Sequence, residues 1–159
     1  MSTSSCVRRV ARASVLACVV AAAGCTSVQV RPVDPAAQML HVCIQDNPKV
    51  TIDDFVPVLR EGFDRHAIST EVFGGNRPER CEYILTYTAR RSWDMATYLS
   101  QASLRIERAG RIVASAEYHL RGKGGLSLMK WQGTKAKMDP VIDELLSGKS
   151  SGAARVAKQ

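Results

Sequence analysis

The side chains able to do chemistry are few: five cysteines, three histidines, scattered acids, and two tryptophans with arginine or lysine beside them. Cys25 stands directly after Ala22-Ala23-Gly24, at the end of an apolar run. Small residues there let a peptidase reach the backbone, and the thiol that follows can take a lipid. Cys43 and Cys81 are the other pair that matters, read as a disulfide because they remain when Cys6, Cys18 and Cys25 are otherwise committed. A metal site needs more ligands at short spacing. His41 lies two residues from Cys43, but no second cluster accompanies it, so no metal or cofactor is expected. His41, His66 and His119 are far apart in sequence, and no serine sits in a nucleophile elbow. Gly122-Lys123-Gly124-Gly125-Leu126-Ser127 holds the ingredients of a phosphate loop in the wrong order.

The anchoring chemistry needs an export signal, and residues 1–24 have the form of one. Arg8, Arg9 and Arg12 precede an apolar run with no acid among them. The run from Ala13 to Ala23 is 11 residues, against the roughly 20 that a spanning helix needs. With Cys25 the pattern resembles a bacterial lipobox, with Ala22 where Leu is usual. Resemblance to lipoproteins implies a diacylglyceryl thioether on Cys25, cleavage before it, and acylation of the new amine. Thr26, where Asp would signal inner-membrane retention, implies an outer-membrane lipid anchor facing the periplasm of a Gram-negative cell. That compartment is oxidising, consistent with the Cys43–Cys81 pairing.

Without its signal the chain is 135 residues, one domain's worth. The net charge of +7 falls to +4 without the signal's three arginines, and to +1 without the tail's Lys149, Arg155 and Lys158. A nearly neutral body lacks the basic surface that nucleic acid binding requires. The tail, residues 147–159, reads as a disordered basic end.

Residues 25–38, with Pro32 and Pro35, read as a tether that lifts the domain off the membrane, or as an added edge strand. Residues 39–146 form the domain. Residues 39–45 read as a strand and 51–67 as a helix with Ile52, Phe55, Val56, Leu59 and Phe63 on one face. Residues 70–73 read as a short strand. Residues 82–90 alternate Tyr83, Leu85, Tyr87 and Ala89 against Ile84, Thr86, Thr88 and Arg90. Residues 91–96 are expected to break that strand. Strands at 98–107 and 112–120 follow, joined by a tight turn at Arg108-Ala109-Gly110-Arg111. A glycine-rich loop leads to a helix over 134–146, ended by Gly148. The expectation is an α+β two-layer sandwich: a mostly antiparallel sheet of about five strands with two helices on one face, in the order β-α-β-β-β-β-α. One tension remains. Cys43 points away from Leu40, Val42 and Ile44, whereas Cys81 has the parity of Tyr83 and Leu85, so the bridge is easy only if Cys81 lies in the loop before its strand or if these faces are reversed.

Several stretches, taken in order, resemble a known family: His41-Val42-Cys43-Ile44, Cys81-Glu82-Tyr83-Ile84-Leu85-Thr86-Tyr87-Thr88-Ala89, Ser92-Trp93-Asp94, Ala116-Glu117-Tyr118-His119-Leu120, Gly122-Lys123-Gly124-Gly125-Leu126-Ser127-Leu128, Lys130-Trp131 and Lys137-Met138-Asp139-Pro140-Val141-Ile142-Asp143. The set is similar to the Sbal-type family of small uncharacterised proteobacterial lipoproteins. That resemblance implies an outer-membrane lipoprotein and carries no catalytic residue with it.

The expected polar sheet face, with Thr86, Thr88, Arg90, Ser103, Arg105, Glu107, Ser115, Glu117 and His119, must meet water or a polar partner. Burying it in an apolar core would cost roughly 1–3 kcal/mol per unpaired group. Arg90, Trp93, Arg105 and Trp131 are therefore the candidate partner-binding residues, although either tryptophan could instead plug the core. The function expected is a non-catalytic binding or assembly module. It is held to membrane lipid through Cys25 and faces an unknown envelope protein or cell-wall component. The alternative is an envelope hydrolase, which would need at least two of His119, Glu117, Asp94 and Ser127 to converge in a cleft.

Overall fold

The computed structural model describes residues 26–120 and 128–148. Cys25, the signal segment, Ser127 with the glycine-rich run before it, and the tail from residue 149 lie outside the described residues. The expected α+β sandwich is present: one six-stranded sheet carries two helices on one face. The strands are β1 (Thr26–Arg31), β2 (His41–Gln45), β3 (Ser69–Phe73), β4 (Tyr83–Asp94), β5 (Ala96–Arg108) and β6 (Arg111–Leu120). The helices are α1 (Phe55–Arg65) and α2 (Thr134–Leu145), and a 3-10 turn at Leu128–Trp131 precedes α2. The sheet order is β1-β6-β5-β4-β2-β3. β2 runs parallel to β3 and β4; the other pairings are antiparallel.

Alternation decides which face is covered. Tyr83, Leu85 and Tyr87 of β4, Leu104 and Ile106 of β5, and Ala114, Ala116 and Tyr118 of β6 are buried in the main core. From the helices, Phe55, Leu59 and Phe63 of α1 and Met138, Ile142 and Leu145 of α2 complete it. Burial on this scale supplies most of the folding free energy, at about 25 cal/mol per Å² of apolar surface. The helices approach closely at Gly62, where an added Cβ would lie 2.8 Å from Ile142 Cδ1. Asp54 caps α1 by position, and its Oδ1 accepts a hydrogen bond from Thr134 Oγ1 at 2.9 Å, joining the two helix starts. With Asp54 at the cap, Pro57 falls in the first turn, where its missing N–H costs nothing.

Of the two readings of residues 25–38, the structure has the edge strand and not a free tether: Thr26–Arg31 pairs antiparallel with β6, Thr26 opposite Leu120, and makes a sixth strand. Val33 N–H then donates to Leu145 O at 2.9 Å, tying the following segment to α2. One expectation about chain path is corrected. The break expected at residues 91–96 is instead a strand continuation. A bulge at Arg90/Arg91 absorbs the irregularity, β4 runs to Asp94, and the chain reverses at Met95 with φ of 59°. The turn at Ala109-Gly110 takes the expected form, with both residues at positive φ.

The Cys43–Cys81 disulfide is present, with Cα atoms 5.6 Å apart. The parity tension resolves as anticipated: Cys81 lies in the turn before β4. Cys43, Cys81 and Phe73, with Ile84 against them, form a small second core on the face away from the helices.

Candidate functional site

Beyond that small core the middle of the uncovered face is polar, because alternate residues there on β1, β4, β5 and β6 are polar or charged. Successive rows across the strands read Thr86–Arg105–Ser115, Thr88–Ser103–Glu117 and Arg90–Gln101–His119, extended on β1 by Arg31, Gln29 and Ser27 in turn. Ser103 Oγ donates to Glu117 Oε1 at 2.7 Å, and Arg105 lies 3.5 Å from the same oxygen. Gln101 Nε2 and His119 Nε2 are 3.3 Å apart. A shallow, open cleft runs over this face, lined by Ser27, Gln29, Thr88, Arg90, Ser103 and His119.

Of the residues proposed for hydrolysis, Glu117 and His119 both line this cleft, and Asp94 does not. Glu117 and His119 are neighbours on one strand face, each engaged by a different group. Asp94 is ion-paired to Lys130 at the sheet end, and Ser127 lies outside the described residues. His41, Cys43 and Glu71 do come together, their ligand-type atoms within 4.8 Å of one another. The Cys43 sulfur is spent in the disulfide, and Glu71 is held by a two-point pair from Arg80, Nε–Oε2 at 2.8 Å and the second contact shorter. The hydrogen bonds from Arg80 lower the Glu71 pKa. This corner is therefore a structural clasp over the disulfide.

Of the four candidate partner-binding residues, Arg90 and Arg105 share the open face, both exposed. Trp93 does not plug the core: it is 74% exposed near the β4–β5 hairpin tip, and Met95 at the turn is 80% exposed. Trp131 packs behind the hairpin and donates its indole N–H to Asp94 O at 3.1 Å. Arg91, also exposed, lies on the hairpin beside Arg90.

The hairpin is held from behind by a lysine cluster that sequence reasoning missed. Lys130 is only 4% exposed and pairs with Asp94, whose hydrogen bond raises its pKa. Lys137 is 5% exposed; its Nζ donates to Leu99 O at 3.0 Å and Lys130 O at 2.7 Å, and burial lowers its pKa. The two Nζ atoms lie 5.1 Å and 5.4 Å from the Tyr98 ring centre. A signal existed in the sequence: Lys137 precedes Val141 by four residues, which puts it on the apolar stripe of α2.

No protein-family profile matches the chain, and no curated protein matches it in sequence. Among solved structures the fold resembles that of PelC. A leucine-to-methionine variant of the PelC dodecamer from Paraburkholderia phytofirmans superposes with a TM-score of 0.54 at 12% identity, over 78% of this chain and 96% of that one. The PelC dodecamer in another crystal form gives 0.51 at 13% identity, over 77% and 97%. At these identities the likeness is one of fold.

Proposed function

We propose that this chain is a non-catalytic assembly module of the cell envelope, held to the outer membrane by acyl chains on Cys25 and facing the periplasm. The observation that carries the reading is the Ala22-Ala23-Gly24-Cys25 sequence after a short apolar run, placed immediately before the first strand of the fold. Attachment through several acyl chains is effectively permanent, at about 0.8 kcal/mol per buried methylene. The polar sheet face and its shallow cleft suit contact with a hydrated partner rather than a small apolar ligand.

The partner class best supported is further copies of the same chain. The similar PelC structures are dodecamers. The present sheet ends in two different strands, β1 and β3. Unlike edges permit head-to-tail contact, the geometry from which rings are built. Membrane fractionation after a carbonate and salt wash tests the anchor: Cys25→Ser should appear in the soluble fraction, and unchanged membrane association would reject lipidation. Sedimentation of the mature Cys25→Ser chain at micromolar concentration tests assembly. Discrete oligomers are expected; a monomer throughout would reject self-association.

A further inference from the structure

We infer that the tip of the β4–β5 hairpin is a second membrane contact, entering the interfacial layer of an anionic lipid surface beside the Cys25 anchor. The inference rests on the lipid-anchor reading above and adds a protein surface to it. β1 begins at Thr26, one residue after Cys25, so there is no slack between the proposed lipid and the sheet. Adjacent Cα atoms are only 3.8 Å apart. Register then fixes what lies at that end. Thr26 pairs with Leu120, His119 with Gln101, and Gln101 with Arg90. The row of Thr26 therefore runs across the sheet to Arg91. From Arg91 the hairpin continues four more residues to Met95, roughly 13 Å at about 3.3 Å per residue. The tip thus projects past the end of the sheet that carries Thr26 by more than the roughly 5–8 Å depth of one headgroup layer, enough to reach through it.

Its side chains suit that layer. Trp93 and Met95 are the two most exposed large apolar side chains among the described residues. The next, Leu40, precedes β2, which runs parallel to β4, and so lies at the opposite end of the sheet. Tryptophan is enriched at membrane interfaces because its ring is apolar and its N–H can remain wet. Arg90 and Arg91 are exposed on the same hairpin and match anionic headgroups. The acid of the tip does not oppose them, since Asp94 is paired with Lys130. The lysine cluster and the Trp131–Asp94 hydrogen bond brace the hairpin from behind, so the tip is presented in one position.

The test uses the mature chain with Cys25→Ser, which retains every described element, beside the same Cys25→Ser chain carrying Trp93→Ala. Each is mixed with vesicles of phosphatidylethanolamine and phosphatidylglycerol bearing brominated acyl chains, and with phosphatidylcholine vesicles. Expected are quenching of tryptophan emission by the brominated anionic vesicles, loss of that quenching in the Trp93→Ala variant, and a drop in its partitioning of about tenfold. Phosphatidylcholine vesicles should bind either chain weakly. Absence of quenching in the Cys25→Ser chain overturns the inference, even if Cys25→Ser releases the protein from cell membranes and so upholds the anchor. A blue shift that grows with protein concentration and ignores brominated lipid also overturns it, by placing Trp93 against a second copy.

Discussion

Removing the Cys43–Cys81 bridge tests the packing of the uncovered face. Both cysteines are fully buried, and the loop they close spans 38 positions, from the middle of β2 through α1 and β3. In the chain-entropy treatment a loop of this length restrains the unfolded state by about 4 kcal/mol. A fold of about 120 residues has an unfolding entropy near 0.25 kcal/mol/K, so the loss amounts to about 15 °C in melting temperature. The assay is circular dichroism melting of the mature Cys25→Ser chain, oxidised and after reduction in denaturant and refolding. The Cys43→Ala/Cys81→Ala variant serves as a second route, with a further small loss as Phe73 and Ile84 lose the sulfur contacts. Melting within about 3 °C of the oxidised protein on both routes would refute the reasoning, because even a 1 kcal/mol loss exceeds that at this size. Alkylation of both thiols in the native, unreduced protein would show that the bridge does not form.

Gly148→Ala should destabilise by more than about 3 kcal/mol, since its Cβ would fall 1.8 Å from Val33 O and force the end of α2 off the β1–β2 connection; denaturant unfolding measures it. Asp143→Asn should cost at most about 1 kcal/mol at pH 7, because half of its side chain is exposed. Burial works against this carboxylate, but hydrogen bonds from His66 and Arg65 outweigh it and hold its pKa below 3.8. Its contribution is therefore complete above pH 3.8 and lost as pH falls through the lower folded value, where the two unfolding curves should converge. Lys137→Met should cost about 1–3 kcal/mol at pH 7 by leaving Leu99 O and Lys130 O without their donor. Because burial holds the Lys137 pKa below 10.5, wild type should gain on this variant as pH rises toward that value; parallel curves from pH 7 to 10 would contradict the assignment.

The helix-covered face was legible because its signals are local. Tyr83, Leu85 and Tyr87 alternate without interruption, and Phe55, Leu59 and Phe63 recur at helical spacing, so each element declares its buried side. What escaped depends on distant partners. Thr26–Arg31 carries two valines and is followed by Pro32, a pattern that leaves tether and edge strand both open until β6, some 90 residues away, lies beside it. Trp93 sits past a bulge, and a bulge erases the alternation that would have carried β4 through to Asp94. Lys137 was readable in position on α2 but not in fate. A lysine on an apolar stripe is buried only where acceptors wait, and Leu99 O and Lys130 O are supplied by other segments. Arg90 and Trp93 were readable as candidate binding residues from the order Arg90-Arg91-Ser92-Trp93. Their place at the end of the sheet where β1 begins follows from strand direction and register, which no local pattern carries.

The measurement closest to the central claim is intact and peptide mass spectrometry of the protein purified from envelope membranes. The account predicts a chain whose first residue is Cys25, with a diacylglyceryl thioether on its sulfur and an acyl group on its amine. A mature chain that starts elsewhere, or starts at Cys25 with a free thiol, would contradict it.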